Sequence, residues 1–345
     1  MSDAVAIAGP SGWPGEDAYA AHLAALDVLA DPPSGVAGVP GLLALPNRGP
    51  WAQPAGRALA LAESMPASLE PHGWRLALVP GADQQLARRY LRADVEALAL
   101  ASAGWQGPVT LPVLGPFSLA AVLWLPVGER VVGDAAALAD LVSSLALGIE
   151  RHVAEVSAAR EVVAGSDDPG AGAEVVLHEP FMPAILAGSV PSFSGMSRLR
   201  AIAPEVVADT LTRGFAALPG TRVVVQVVPD PDVISAVGAA RPFALQLDTA
   251  RLDARGWDAL AEQVEAGVQV RHAVVPHARA DERADPGAVA RSVLEPWRAT
   301  GLTTADQPVV VLPRPGLSEV TPGAAAATLR ATARAALSLG ELLAS

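Results

Sequence analysis

Short apolar runs alternate with longer amphipathic stretches along almost the whole chain. Runs of Val, Leu and Ala that stop at Pro, Gly or Asp predict strands, and stretches with helical spacing of apolar positions predict helices. The predicted strands lie at 4–8, 41–45, 75–79, 109–114, 174–177, 222–228, 243–248, 269–275 and 309–312, with 75–79 as either a strand or a hairpin arm. The predicted helices lie at 16–30, 52–64, 83–103, 134–163, 204–218, 255–267, 286–300 and 321–343. This alternation favours an α/β fold, a (β/α)8 TIM barrel with loop insertions, over an open doubly wound sheet.

One segment rich in Ser, Asp, Pro and Gly interrupts the alternation. It ends the helix predicted at 134–163, and its composition marks a candidate half-boundary at 165–173. We predict a single domain over residues 1–345.

A histidine and a carboxylate stand side by side where the strand at 174–177 ends. Pro180 and Pro183 prevent that strand from continuing past His178 and Glu179. Because the active site of a parallel barrel lies at the carboxyl ends of its strands, we expect both side chains at the functional face. The alternative is that the pair only begins a solvated loop.

The composition excludes several classes of chemistry. The chain has no Cys, and all 24 of its basic residues are Arg, so thiol nucleophiles, thiolate metal ligands and Schiff-base lysines are excluded. The net charge of −12 argues against nucleic acid or an anionic membrane as a partner. His, Asp, Glu, Arg, Tyr, Ser and Thr remain as the functional side chains.

The chain carries no recognisable targeting or membrane segment. Residues 1–8 lack a basic stretch followed by a long apolar run. The most apolar later window, 113–127, is interrupted by Pro116 and Pro126 and falls short of the roughly 20 residues that cross a bilayer. We expect a soluble, cytoplasmic protein.

The loops together resemble those of a known family. The matching segments are Gly9 to Gly15, Glu70 to Leu76, Gly115 to Ala121, Gly128 to Val131, Glu179–Pro180 with Pro183 to Gly188, and Pro313 to Leu317. This order resembles the compact, single-barrel actinobacterial relatives of cobalamin-independent methionine synthase. The resemblance spans nearly the whole chain and implies the barrel fold shared with uroporphyrinogen decarboxylase.

The zinc ligands of that family do not transfer to this sequence. The family holds zinc with a His-x-Cys pair on one strand, a Glu at the end of the next and a Cys in a late loop. The resemblance places Val225, Val227, Asp248 and Pro315 at those positions, and one carboxylate cannot hold zinc. The family's substrate-binding Asp before Glu-Pro is His178 here. We therefore expect no metal, no cofactor and no thiol alkylation of the family's type.

The first functional hypothesis is a zinc-free enzyme of the lyase, decarboxylase, isomerase or cyclase type. It acts on a small carboxylic substrate by general acid–base chemistry, with His178, Glu179 and Asp248 as catalytic residues. The expected substrate-binding residues are Arg48, Trp13, Trp51, Phe181, Arg198, Arg200, Gln226, Asp230 and His277. Among these, Arg48 or Arg198 is the expected carboxylate anchor.

Two alternatives stay open. The first is a non-catalytic barrel that lost its activity and binds a ligand or a partner. The second is a methyltransferase of the methionine synthase type with an altered metal site drawn from His178, Glu179, Asp248, His272 and His277. A common cavity in which His178 and Asp248 lie within proton-transfer reach would favour an enzyme, and side chains that point apart would favour a binder. The other histidines and the charges of the helix at 83–103 are expected to be exposed, and the oligomeric state stays open.

Overall fold

The computed structural model describes residues 5–164, 172–278, 284–302 and 308–344. The half-boundary predicted at 165–173 therefore lies largely outside the described residues, which include only its last two positions.

Eight parallel strands form the centre of the molecule. The described residues form ten strands, of which all but β3 and β4 belong to this sheet: β1 Val5–Ala8, β2 Val36–Val39, β3 Ala67–Glu70, β4 Gly73–Leu76, β5 Val109–Leu114, β6 Ala173–His178, β7 Arg222–Gln226, β8 Ala244–Leu247, β9 Gln269–Val275 and β10 Val309–Pro313. The sheet has the order β2-β1-β10-β9-β8-β7-β6-β5, and β3 and β4 pair separately as a hairpin. Its two edges meet where the Leu42 amide donates to the Thr110 carbonyl oxygen at 2.8 Å and the Thr110 amide donates to that of Pro40 at 2.9 Å. These bonds close a (β/α)8 barrel, which confirms the predicted fold class.

Helices cover the outside of the strands. They are α1 Ala18–Leu29, α2 Pro54–Leu61, α3 Ala82–Ala101, α4 Pro116–Val122, α5 Ala135–Ala164, α6 Met182–Leu186, α7 Pro204–Ala216, α8 Pro231–Gly238, α9 Ala254–Glu265, α10 Pro286–Ala299 and α11 Pro322–Ala344. Two glycines permit close approach, since a Cβ at Gly38 would lie 1.8 Å from the Leu29 carbonyl oxygen and one at Gly148 would lie 2.0 Å from that of Leu61. No described helix has the length and apolar character needed to cross a membrane.

Successive strand residues point alternately into the barrel and towards the helices. Small side chains fill the interior, namely Ala6, Ala8, Val176, Val224, Ala244, Ala273, Val310 and Leu312. The larger aliphatic side chains pack between sheet and helices. At the amino ends of the strands, Glu174 forms ion pairs with Arg271 and Arg222. Side-chain packing and these ion pairs thus fill the barrel at the amino ends of the strands. Space for a site remains at the carboxyl ends.

One strand prediction is wrong. The strand predicted at 41–45 is replaced by β2, which ends before Pro40, and residues 41–44 contribute only isolated bridges. For the segment at 75–79 the hairpin alternative is confirmed, since residues 75 and 76 end β4 in the outer hairpin with β3. A short apolar run does not reveal which sheet it joins, because that depends on a partner distant in sequence.

Candidate functional site

A cavity of about 460 Å³ opens at the carboxyl ends of the strands. Its polar lining consists of Ser11, Arg57, His152, His178, Gln226, Asp248, Arg251 and Arg314. Apolar side chains of α2, α3, β5 and the β7 loop complete the wall, among them Leu61, Leu91, Val113 and Val227. A mostly apolar cavity of this size with a few convergent polar groups is typical of a small-molecule site.

His178 is the last residue of β6 and lies at the centre of the polar lining. Its Nε2 atom lies 2.8 Å from the Ser11 Oγ atom, so the ring shares a hydrogen bond with the loop that follows β1. The Ala44 amide donates to the Ser11 carbonyl oxygen at 3.1 Å and so fixes that loop. Burial lowers the pKa of His178 to about 4, and the imidazole is therefore neutral at pH 7.

Asp248 follows β8 and lines the same cavity as His178. Its Oδ2 atom lies 3.0 Å from the Arg314 Nε atom, while Oδ1 is buried without a hydrogen-bond partner among the described residues. Burial raises the pKa of Asp248, and the charges of Arg314 and Arg251 oppose that rise. The structure thus places the two predicted acid–base groups at one cavity, each bonded to a different neighbour.

Glu179 turns away from the cavity and binds the start of α4. Its carboxylate accepts hydrogen bonds from the backbone amides of Phe117 at 3.1 Å and Ser118 at 2.7 Å. The side chain is fully buried, and burial raises its pKa to about 7 against the effect of these bonds. Gly115, the N-cap residue, offers no side chain of its own, so Glu179 satisfies amides that the helix leaves free. Glu179 thus caps α4 and is not among the residues that line the cavity, and its catalytic role stays a prediction.

The residues at the expected zinc positions do not fit a zinc site. Val225 is buried in the layer between sheet and helices, and it is Gln226 that lines the cavity and accepts a hydrogen bond from Gln246 at 2.8 Å. Val227 does line the cavity, together with Pro315. Amide, apolar and proline groups lack the imidazole and thiolate donors that zinc prefers. Within the described ranges, no three His, Asp or Glu residues are grouped as metal ligands.

Several predicted charged residues lie outside the cavity. Arg48 donates from Nη2 to both carboxylate oxygens of Asp94, at 2.6 and 2.8 Å, which replaces the expected role as an anchor. Arg198 and Arg200 are exposed on a loop that does not contribute to the cavity lining. Asp230 caps α8 by accepting from the amides that follow it.

The predicted aromatic walls and His277 also lie apart from the cavity lining. Trp13 is buried in the core, and Trp51 Nε1 donates to Asp83 Oδ1 at 2.8 Å. Phe181 is 41% exposed. His277 Nε2 donates to the Arg314 carbonyl oxygen at 2.9 Å, so it supports the loop that carries Arg314.

Five polar residues of the cavity lining were not predicted as functional candidates, namely Ser11, Arg57, His152, Arg251 and Arg314. His152 was expected to be exposed, but it is 2% exposed and faces the cavity from α5. Its spacing from Leu145, Ile149 and Val156 on one helical face was the available signal. Arg57, a single charge within the Ala- and Leu-rich α2, was a second signal. Arg314 directly follows β10, but nothing in its neighbourhood distinguished it from other loop arginines.

Two further histidines are buried inside the protein. His22 was expected on the surface, but its Nδ1 atom donates to the Ala18 carbonyl oxygen and its Nε2 atom accepts from the Leu43 amide. His272 is bonded to Thr249 Oγ1 at 3.0 Å, as a satisfied core histidine. Burial lowers the pKa of His22 to about 4 and that of His272 to about 3.

Comparison with known proteins gives a distant structural similarity. No protein-family model matches the chain, and no curated protein matches it. Among solved structures, it is similar to a B12-independent methionine synthase from Shewanella sp. W3-18-1 that was solved in complex with selenomethionine. The two share 12% sequence identity with a TM-score of 0.46, and the similarity covers 73% of this chain and 65% of that structure's length. At this identity it assigns no role to any residue of the cavity.

Proposed function

We propose that this protein is an enzyme that binds a small carboxylic acid at the mouth of the barrel and acts on it by acid–base chemistry. The observation that carries the proposal is that His178 and Asp248, from different strands, line one cavity. The cavity of about 460 Å³ lies within the range usual for small ligands. Guanidinium groups on its wall supply the bidentate donors that recognise a carboxylate.

The proposed reaction begins with proton abstraction from the carbon next to the substrate carbonyl or carboxyl group. The imidazole of His178 is neutral at pH 7 and has a nitrogen lone pair that can accept this proton, and the negative charge that forms on the substrate offsets the burial that disfavours the imidazolium. The Arg314 guanidinium, held by Asp248, stabilises the negative charge that develops on the substrate oxygen. Return of the proton at another atom, or loss of a leaving group, gives an isomerase or a lyase.

We propose that this chemistry is metal-independent, because the cavity has no thiolate and, among the described residues, no three His, Asp or Glu side chains are grouped so that they could hold a metal ion. Descent from the methionine synthase barrel and a cytoplasmic location remain predictions from the sequence. The methyltransferase alternative is not favoured, since the five residues from which its metal site could be drawn are divided among the cavity, the α4 cap, the core and the loop of Arg314.

A ligand-binding barrel without catalysis is the second candidate. The observation that favours it is that His178 and Asp248 are each engaged by a neighbour, Ser11 and Arg314 respectively. Groups held in this way can line a binding pocket without transferring protons.

Deuterium exchange tests the enzyme proposal without knowledge of the product. The protein is incubated in D2O with a panel of 2-oxo, 2-hydroxy and unsaturated carboxylic acids, and NMR follows deuterium incorporation at the carbons next to the carbonyl and carboxyl groups. We expect exchange of at least one acid, with a loss of about 100-fold or more in His178→Gln. His72→Gln, which changes an exposed histidine outside the cavity, should retain full activity.

Two results would contradict the proposal. Binding of acids in the cavity with no exchange or turnover would establish the non-catalytic binder. Unchanged exchange in a folded His178→Gln protein would remove the assigned base.

Dialysis against EDTA followed by elemental analysis tests metal independence, since a bound stoichiometric metal required for activity would refute it.

A further inference from the structure

Two buried arginines share one carboxylate beside the cavity. Arg48 donates to both oxygens of Asp94, and Arg57 also donates to it through Nη1. The side chains of Arg48, Arg57 and Asp94 are 8%, 5% and 0% exposed. Arg48 lies in addition over the Tyr90 ring, with Cζ 4.7 Å from the ring centroid. All three charges are therefore removed from bulk water.

This group carries one positive charge too many. The Asp94 carboxylate stabilises the charged form of the Arg57 guanidinium, and the positive charge of Arg48 destabilises it. Two neighbouring histidines add no charge at pH 7, since burial lowers the pKa of His22 to about 4 and that of His152 to about 3. A buried charge without a counter-ion is unfavourable, so an anion beside this group would be stabilised.

The unpaired part of this group is at the cavity. Arg57 lines the wall, and its Nη2 atom has no hydrogen-bond partner among the described residues. His152 lines the wall as well, and its Nδ1 atom is also buried without a partner in the described part of the chain. The neighbouring walls of α2 and α3 are apolar, with Ala58, Leu61 and Leu91. A polar group of a ligand could therefore satisfy two orphaned nitrogens at this end.

The opposite side of the cavity is electrostatically different. Arg314 already has a carboxylate, Asp248, at 3.0 Å. Ser11, His178 and Gln226, which lie with Arg314 on this side, carry no charge at neutral pH. Arg251 adds a second positive charge on this side, but it is exposed, so water screens its charge. The buried excess of positive charge therefore lies at Arg57, although the chain as a whole carries a net charge of −12.

We infer that Arg57 and His152 form the binding site for the ligand's anionic group. The ligand is an amphipathic acid whose apolar part lies on the α2 and α3 wall. The inference rests on the proposed function for the nature of the ligand. It adds a direction of binding: the carboxylate lies at Arg57, and the carbonyl group, with the neighbouring carbon that loses its proton, lies towards His178. A ligand of this kind neutralises the buried group, which a neutral isostere cannot do.

Hexanoate and its neutral isostere hexanamide are the probes for this anion-binding site. Isothermal titration calorimetry and thermal unfolding of the full chain should show binding of hexanoate and at least tenfold weaker binding of hexanamide. Arg57→Gln should weaken hexanoate binding at least tenfold, and Arg57→Lys should recover part of it, because it restores the charge without the forked donor. Arg92→Gln, which removes a positive charge from the exposed face of α3, should bind like the wild type.

A crystal soaked with 6-bromohexanoate gives a measurement that does not depend on any variant folding. The anomalous signal of bromine locates the alkyl chain of the ligand, and the carboxylate should lie against Arg57. A carboxylate at Arg314 or Arg251 instead, or equal binding of hexanoate and hexanamide, would refute the anion-binding site at Arg57 while leaving the proposed acid–base function standing. No acid bound in the cavity at all would overturn both, whereas a carboxylate bound at Arg57 without any exchange activity would overturn the enzyme proposal and leave this binding site standing.

Discussion

Replacing Asp94 by asparagine should be among the most destabilising single changes in this protein. Asparagine keeps the shape of the side chain but removes the only carboxylate that the structure shows bonded to Arg48 and Arg57. Removing one partner from a buried ion pair costs about 3–5 kcal/mol, because the other charge is left buried and unpaired. Here two guanidiniums lose their counter-ion, and we expect a loss at the upper end, about 4–5 kcal/mol.

Arg57→Gln provides the matched comparison within the same group. It removes the excess charge and leaves Arg48 and Asp94 as a balanced pair with two hydrogen bonds, at 2.6 and 2.8 Å. We expect a cost of only about 1 kcal/mol, from lost packing and one lost hydrogen bond. The charge excess therefore predicts a clear ranking, with Asp94→Asn far more destabilising than Arg57→Gln.

Urea unfolding at pH 7.5, followed by tryptophan fluorescence and far-UV circular dichroism, measures both values. Arg92→Gln is the surface control and should lie within about 0.5 kcal/mol of the wild type. A cost of Asp94→Asn below about 1 kcal/mol, or one equal to that of Arg57→Gln, would refute the charge argument. The double variant Asp94→Asn with Arg57→Gln should be more stable than Asp94→Asn alone, since it removes one unpaired cation.

Three further predictions concern the cap, its glycine and the buried histidines. Glu179→Ala should lower the free energy of unfolding by about 2–4 kcal/mol in urea titrations, because two buried amides lose their acceptor, and an effect below about 0.5 kcal/mol would contradict the capping role. Gly115→Ala should also destabilise, by about 1–3 kcal/mol, since its Cβ would lie 2.3 Å from Glu179 Oε1, while Gly323→Ala, with no atom within 4 Å of the added carbon, should cost nothing in the same assay. The four buried histidines have folded pKa values of about 3 to 4 against 6.5 when unfolded, so their contribution to stability is present above pH 6.5 and is lost as the pH falls towards 4. Glu179 acts in the opposite direction, losing stability as the pH rises from 4.5 through about 7, but one group is outweighed by four. Unfolding free energies measured at pH 7, 6, 5 and 4.5 should therefore decrease with acidity, and a His272→Asn variant should show a shallower decrease; a flat profile would show that these histidines are not held neutral.

The sequence by itself determined the fold class and the end of the barrel at which the candidate site lies. Alternation of apolar strands with amphipathic helices is a local property of the chain, and it predicted seven of the eight barrel strands close to their observed positions. The position of His178 and Asp248 after such strands was enough to place both at the carboxyl ends, because parallel strands all end on the same side. The eighth strand, β2, was displaced by a few residues because Pro40 and Gly41 divide a weakly patterned segment.

Only the tertiary structure decided which polar side chains share the cavity. Glu179 is adjacent to His178 in sequence, yet neighbours on a strand point to opposite sides, and Glu179 binds the amides of α4 instead. Arg57 and His152 reach the cavity because α2 and α5 pack on the strands with these faces inward. Whether an arginine anchors a ligand or neutralises a buried carboxylate depends on which acid lies within hydrogen-bond distance of it. That acid is distant in sequence, as Asp94 is from Arg48, so packing of the helices on the barrel selects the partner and thereby the residues of the site.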